Sequence, residues 1–142
     1  MDVSSKIVIY KVPPIPGVEI AERKGVGHPD TICDTLAEKI SIAYAKYCMD
    51  TYGVMLPYII DSITVTGGKT KVEFGCGELV DPLKVNISGC FTSQLLSKKI
   101  PYFEIAAQTI REYLKSVIPF IDFDKMVQII NSTHPISNQR VF

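Results

Sequence analysis

The residue types best suited to chemistry are concentrated in one place: Glu22-Arg23-Lys24-Gly25-Val26-Gly27-His28-Pro29-Asp30, followed by Thr31-Ile32-Cys33-Asp34. Two glycines let a backbone approach a ligand closely. Lys24 and His28 bring a cation and an imidazole donor. If a helix begins just after this run, its amide groups and positive dipole end add to a site for phosphate. Asp30 and Asp34 lie four apart, hence on one helix face, where two carboxylates repel unless a cation sits with them. Magnesium held by a carboxylate together with phosphate oxygens is such a cation. A plainer arrangement explains the same residues: acids in a first helical turn complement the dipole, and a histidine before proline serves as a cap.

The elements around the cluster must hold it. Pro29 suits the first position of a helix, where its missing N–H costs nothing. A helix is predicted from there to about Met49, with Ile32, Cys33, Leu36, Ile40, Ala43, Tyr44 and Tyr47 as its apolar stripe and Gly53 just past its end. A second helix is predicted over Pro101 to Ile118, with Ile105, Ala106, Thr109, Ile110, Tyr113, Leu114, Val117 and Ile118 on one face, and Pro119 stops it. Short strands are expected at Ile7–Tyr10, Val18–Glu22, Pro57–Val65, Lys71–Phe74, Leu83–Ile87 and Met126–Ile130. Gly67-Gly68 is expected as a hairpin turn, Gly75-Cys76-Gly77 as a bulge or loop, and His134-Pro135 as a loop. The order of elements predicts an α+β fold, a mostly antiparallel sheet with two helices packed on one face.

Composition bounds the classes. At 142 residues the chain is expected to be a single domain, and 46% hydrophobic with 21% charged residues is ordinary globular usage. Fifteen basic and fifteen acidic residues cancel, which argues against a nucleic-acid or membrane-surface binder. The longest run without a charged residue, Met126 to Gln139, is too short to span a bilayer and contains Asn, Gln and Pro. Cys33, Cys48, Cys76 and Cys90 form no CxxC pair, and His28 and His134 are far apart, so a zinc site is not expected. No secretory signal is visible at the N-terminus, and a cytoplasmic location with free thiols is expected.

The stretch Val18 to Ser41 closely resembles the archaeal type of S-adenosylmethionine synthetase (methionine adenosyltransferase), whose signature there is E-R-K-G-x-G-H-P-D-x-I-x-D. Every fixed position is kept from Glu22 to Asp34. The resemblance continues in order: Val65-Thr66-Gly67-Gly68 is similar to the family's V-G-G turn, Phe74-Gly75-Cys76-Gly77 to its F-G-G-G, and Ile87-Ser88-Gly89 to its S-G-R strand end, with Cys90 in place of the arginine. Arg111–Lys115 and Asp122–Lys125 are similar to the helix and strand that follow. The family's nucleotide-contacting G-x-G-S-x-D aligns with His134 to Gln139, where Ser137 alone is kept.

The resemblance implies a reaction. In the family the methionine sulfur attacks C5′ of ATP and expels the triphosphate, which is cleaved to phosphate and pyrophosphate. The expected partners are therefore ATP and L-methionine, with Mg2+ and potassium as ions. By the same resemblance His28 and Asp30 are expected as catalytic residues, Lys24, Gly25, Gly27, His28 and Ser137 as nucleotide contacts, and Asp30 as the magnesium ligand, with Asp34 in support. Residues 1–142 correspond to the N-terminal part of the much longer family chain. The expectation is thus a methionine adenosyltransferase-type protein that is incomplete alone, working as a homodimer or paired with a chain that supplies the missing segments. The alternative is a catalytically inactive truncated paralogue that acts as a nucleotide-binding or regulatory module.

Overall fold

The computed structural model describes residues 8–13, 17 and 20–136. The first long element is helix α1, Pro29–Tyr52, with proline in its first turn and Gly53 ending it in the left-handed region (φ 69°), whose N–H bonds the carbonyl of Met49. Its buried positions recur every fourth residue: Ile32, Leu36, Ile40, Tyr44 and Cys48. Strands β1 (Tyr58–Thr66), β2 (Lys69–Glu73), β3 (Cys76–Asp81) and β4 (Leu83–Thr92) follow, then the two-residue strands β5 (Gln94–Leu95) and β6 (Lys98–Lys99). Helix α2 (Tyr102–Val117), the single-turn α3 (Phe123–Met126) and β7 (Val127–Ile136) complete the described chain.

The main sheet has the order β1-β4-β7. β1 and β4 are antiparallel; β4 and β7 run parallel in unbroken register from Leu83 opposite Val127 to Thr92 opposite Ile136. A parallel pair needs a long crossover, and α2 supplies it. The other two pairings, β2–β3 and β5–β6, are antiparallel, so the sheets are mostly antiparallel, as expected. Period-two alternation sends Val85, Ile87 and Phe91 to one face, where they are buried with Leu36, Ile40 and Tyr44 of α1 and Ala106, Ile110 and Leu114 of α2. Both helices therefore cover the same side. Tyr44 anchors the layers: its ring meets Tyr58 and Phe91 edge-on, 5.0 and 5.2 Å between centroids, and its hydroxyl donates to the Thr92 carbonyl at 3.0 Å. The opposite face carries the polar Ser62, Thr64, Asn86, Ser88, Ser132 and His134 together with Ile59, Cys90 and Ile130, and Ser132 Oγ donates across it to Asn86 Oδ1 at 2.7 Å.

Several local expectations change. Residues 8–10 and 20–22 form no strand; Ile9 and Ile20 are 89% and 88% exposed, with no sheet beside them to reward their β-branched pattern, and residues 7, 18 and 19 lie outside the described residues. Gly67-Gly68 joins two sheets instead of closing a hairpin, because β1 pairs with β4 and β2 with β3. A Cβ at Gly68 would lie 2.7 Å from the Asp81 carbonyl oxygen, so close backbone approach is the reason for glycine there. Phe74-Gly75 makes the real hairpin turn, with Gly75 at φ 79°, and Cys76-Gly77 belongs to β3. His134-Pro135 is strand, not loop: β4 extends far enough to pair with it, and proline is tolerated near the end of an edge strand. The one turn of α3 is too short to leave a periodic signal.

Candidate functional site

The signature residues lie on the loop entering α1 and on its first turn. The loop turns through a bond from the His28 amide to the Gly25 carbonyl, 3.0 Å, and the Ile32 amide then bonds the His28 carbonyl at 2.9 Å to open the helix. His28 is the N-cap: its Nδ1 accepts the Asp30 amide at 3.1 Å. An accepting Nδ1 places the proton of the neutral ring on Nε2, which is left as a donor. One first-turn amide expected to meet a ligand is thus already satisfied by the chain itself, and side chains must carry more of any anion recognition than the bare helix end.

Lys24 reaches across the turn to Asp30, its Nζ paired with Oδ2, and His28 Nδ1 stands 4.0 Å from the same oxygen. The hydrogen bond and charge of Lys24 hold the Asp30 carboxyl below the usual carboxylate range; Asp30 in turn raises Lys24. Both side chains are 58% exposed, so solvent screens the pair and a competing anion can replace it. All residues from Ile20 to Asp30 are exposed. Neither Gly25 nor Gly27 has a positive φ, and a Cβ on either meets nothing within 4 Å among the described residues. No positive φ and no contact among the described residues requires glycine at either position, and both leave the backbone open to close approach.

The structure brings Lys24, Gly25, Gly27, His28 and Asp30 into one turn. Asp34 follows one helical turn later, exposed. Ser137 lies outside the described residues. Among the described residues no group of three or more His, Cys, Asp or Glu is placed to hold a metal, so Asp30 offers a single carboxylate. That suits Mg2+ shared with phosphate oxygens and water, not a cage of protein ligands. Burial raises the Cys33 thiol within the motif, which keeps it protonated. The Lys24–Asp30 pairing was not foreseen from the sequence. The six-residue separation becomes a contact only because the turn at Gly25–His28 folds the chain back.

An α+β unit with helices on one sheet face, presenting a histidine-capped, glycine-punctuated turn, is the class that fold and site define. The sequence pattern described as S-adenosylmethionine synthetase (AdoMet synthetase) matches residues 7–140. The chain is 42% identical over 106 residues to the S-adenosylmethionine synthase of Natronomonas pharaonis, covering 75% of this chain and 26% of that protein. It is 40% identical over 117 residues to the S-adenosylmethionine synthase of Methanocaldococcus jannaschii, covering 78% and 29%. An uncharacterised protein of Streptococcus pyogenes is 36% identical over 110 residues, covering 78% and 28%. The chain belongs to the S-adenosylmethionine synthetase family, and it spans between about a quarter and a third of the length of these relatives. Among the described residues no helix is long and apolar enough to cross a membrane.

Proposed function

We propose that this chain is the triphosphate-recognising portion of a methionine adenosyltransferase, which forms S-adenosylmethionine from L-methionine and ATP and releases phosphate and pyrophosphate. The observation that carries the reading is the turn at Lys24–Asp30: every fixed signature residue is present, and no contact among the described residues accounts for the glycines. Without ligand, Lys24 and Asp30 neutralise one another. An arriving triphosphate draws the Lys24 ammonium to itself, accepts the Nε2–H of His28, and sits against the backbone of Gly25 and Gly27. Asp30, released from Lys24, would be one oxygen ligand for Mg2+, with Asp34 contributing negative charge one turn on. Bound Mg2+ would neutralise charge that develops on the leaving triphosphate. Ser137 is assigned to the nucleotide by the family pattern alone.

The turn is open to solvent on every residue, and a leaving triphosphate is stabilised strongly only where water is excluded. The chain therefore binds on its own but turns over only when further family segments close the site, from a second copy or from a chain carrying the remaining length. The test is an assay for S-adenosylmethionine from ATP and methionine, with the chain alone and mixed with a polypeptide carrying the later two-thirds of a relative. Activity only in the mixture is the expected result. The same complete exposure favours the second reading, a catalytically inactive binding module; it predicts ATP binding with no turnover in any mixture.

A further inference from the structure

The helix layer has an outer face as well as the inner one that covers the sheet, and a groove runs along it between α1 and α2. A cavity of about 420 Å³ lies between Lys39–Ala43 of α1 and Thr109–Ser116 of α2. A second, of about 490 Å³, adjoins it at Ala43, Thr109 and Glu112 and continues to Asp50 of α1 and Glu104 of α2. The two helices are therefore antiparallel, and from Lys39 to Asp50 the groove is about 17 Å long, or three helical turns. One wall is the exposed row Glu104, Gln108, Glu112 and Ser116, spaced four apart; the other carries the exposed Lys39, Ile42 and Lys46. Ala43 and Thr109 lie between the rows, small enough for a third helix to approach closely. The Thr109 hydroxyl is spent inside its own helix, donating to the Ile105 carbonyl at 2.8 Å. Ile42 is 65% exposed on the basic wall. Among the described residues none of Lys39, Lys46, Glu104 and Glu112 joins an ion pair.

We propose that this groove docks an amphipathic helix of another polypeptide, three turns or longer. That helix carries an apolar stripe at i, i+3 or i+4, and i+7, with acidic residues on the flank against α1 and basic residues on the flank against α2. Complementary charge selects this chemistry. Nucleic acid or an anionic lipid surface would meet the Glu104–Glu112 row as like charge. A helix with a single sign of charge on both flanks would be repelled by one wall or the other. Only oppositely charged flanks satisfy both walls while the apolar stripe covers Ala43, Thr109 and the exposed Ile42. The same charges fix direction, because reversing the helix exchanges its flanks and sets like charge against like. This docking surface does not depend on the triphosphate reading.

Fluorescence anisotropy of labelled helical peptides, titrated with the purified chain, tests it. Three peptides share one Ala/Leu stripe and differ only in their flanks: Lys on one and Glu on the other, Lys on both, or Glu on both. The wild type is expected to bind the mixed peptide saturably below about 1 mM, and each single-sign peptide at least about fivefold more weakly. In the double variant Lys39→Glu, Lys46→Glu both walls are acidic, and the peptide with Lys on both flanks is expected to become the tightest. Ala43→Lys fills the space between the rows and is expected to abolish binding of all three. Circular dichroism and urea midpoints check that the variants stay folded. No saturable binding of the mixed peptide, equal binding of the three, an unchanged order in the double variant, or binding that survives Ala43→Lys would each overturn the proposal. So would displacement of the mixed peptide by a polypeptide carrying the later two-thirds of a relative, which would give the groove to the family's own remaining segments.

Discussion

Gly89 is the residue on which the register of the main sheet turns, and Gly89→Ala is the substitution that tests it. Gly89 has φ 149°, a region L residues seldom adopt, and a Cβ added there would lie 2.1 Å from the Ile59 carbonyl oxygen and 3.1 Å from the Asp61 amide. Both atoms are backbone of the adjacent strand, so no side chain can swing aside. Backbone strain at such a φ costs about 1–3 kcal/mol. Overpacking that forces backbone movement adds a similar amount, about 1–3 kcal/mol. The expected destabilisation is therefore at least about 2 kcal/mol, a large share of the roughly 5–15 kcal/mol typical of folded domains. With a urea slope of about 2 kcal/mol/M, the unfolding midpoint should fall by about 1 M or more. Gly77→Ala is the control: the nearest atom to its Cβ is 3.7 Å away, an ordinary contact, and its midpoint should barely move. Equal small shifts for both variants, with unchanged slopes, would refute this account of Gly89.

Further outcomes follow from the core and from the charged turn. Tyr44→Phe keeps the aromatic packing but strips the Thr92 carbonyl of its donor, and thermal or urea unfolding should show a loss of about 1–3 kcal/mol. Burial raises the Tyr44 hydroxyl above the ordinary tyrosine value. Its contribution is thus complete below pH about 10 and is lost as pH rises beyond that, so alkaline unfolding should be later in Tyr44→Phe relative to its own neutral stability. Asp30 runs the other way. Its carboxyl is held down by Lys24, so the turn's ion pair is present above pH about 4 and is lost as pH falls through the lowered value. In Lys24→Met, an NMR titration of Asp30 should return toward the ordinary carboxylate range.

The long helices were legible because their burial period spans many residues: Ile32, Leu36, Ile40 and Tyr44 all fall where the sequence places them, and Pro29 and Gly53 mark the ends of α1. Cys48, absent from the predicted stripe, continues the same row one turn beyond Tyr44. The strands were less legible because partners decide them. The β-branched residues at 8–10 look like a strand but meet no sheet, whereas the polar Asn131-Ser132-Thr133-His134 is drawn into strand by its parallel pairing with β4. Gly67-Gly68 and Gly75 both signal turns, and only the pairing of β2 with β3 shows which one closes a hairpin. At the candidate site, residue identities were fully visible in the sequence. Two features were not: the Lys24–Asp30 pair, which depends on the fold-back of the turn, and the use of Nδ1 of His28 for capping, which sets where its proton points.

The central claim is that the Lys24–Asp30 turn recognises a triphosphate, and calorimetric titration of the purified chain with Mg-ATP tests it most directly. Saturable binding is expected, weakened in His28→Ala, Lys24→Met and Asp30→Asn, with Gly27→Val weakened as well because its Cβ occupies the space a phosphate would enter. Absence of saturable heat up to millimolar ATP, a binding free energy weaker than about −4 kcal/mol, or binding unaffected by all four substitutions, would contradict it.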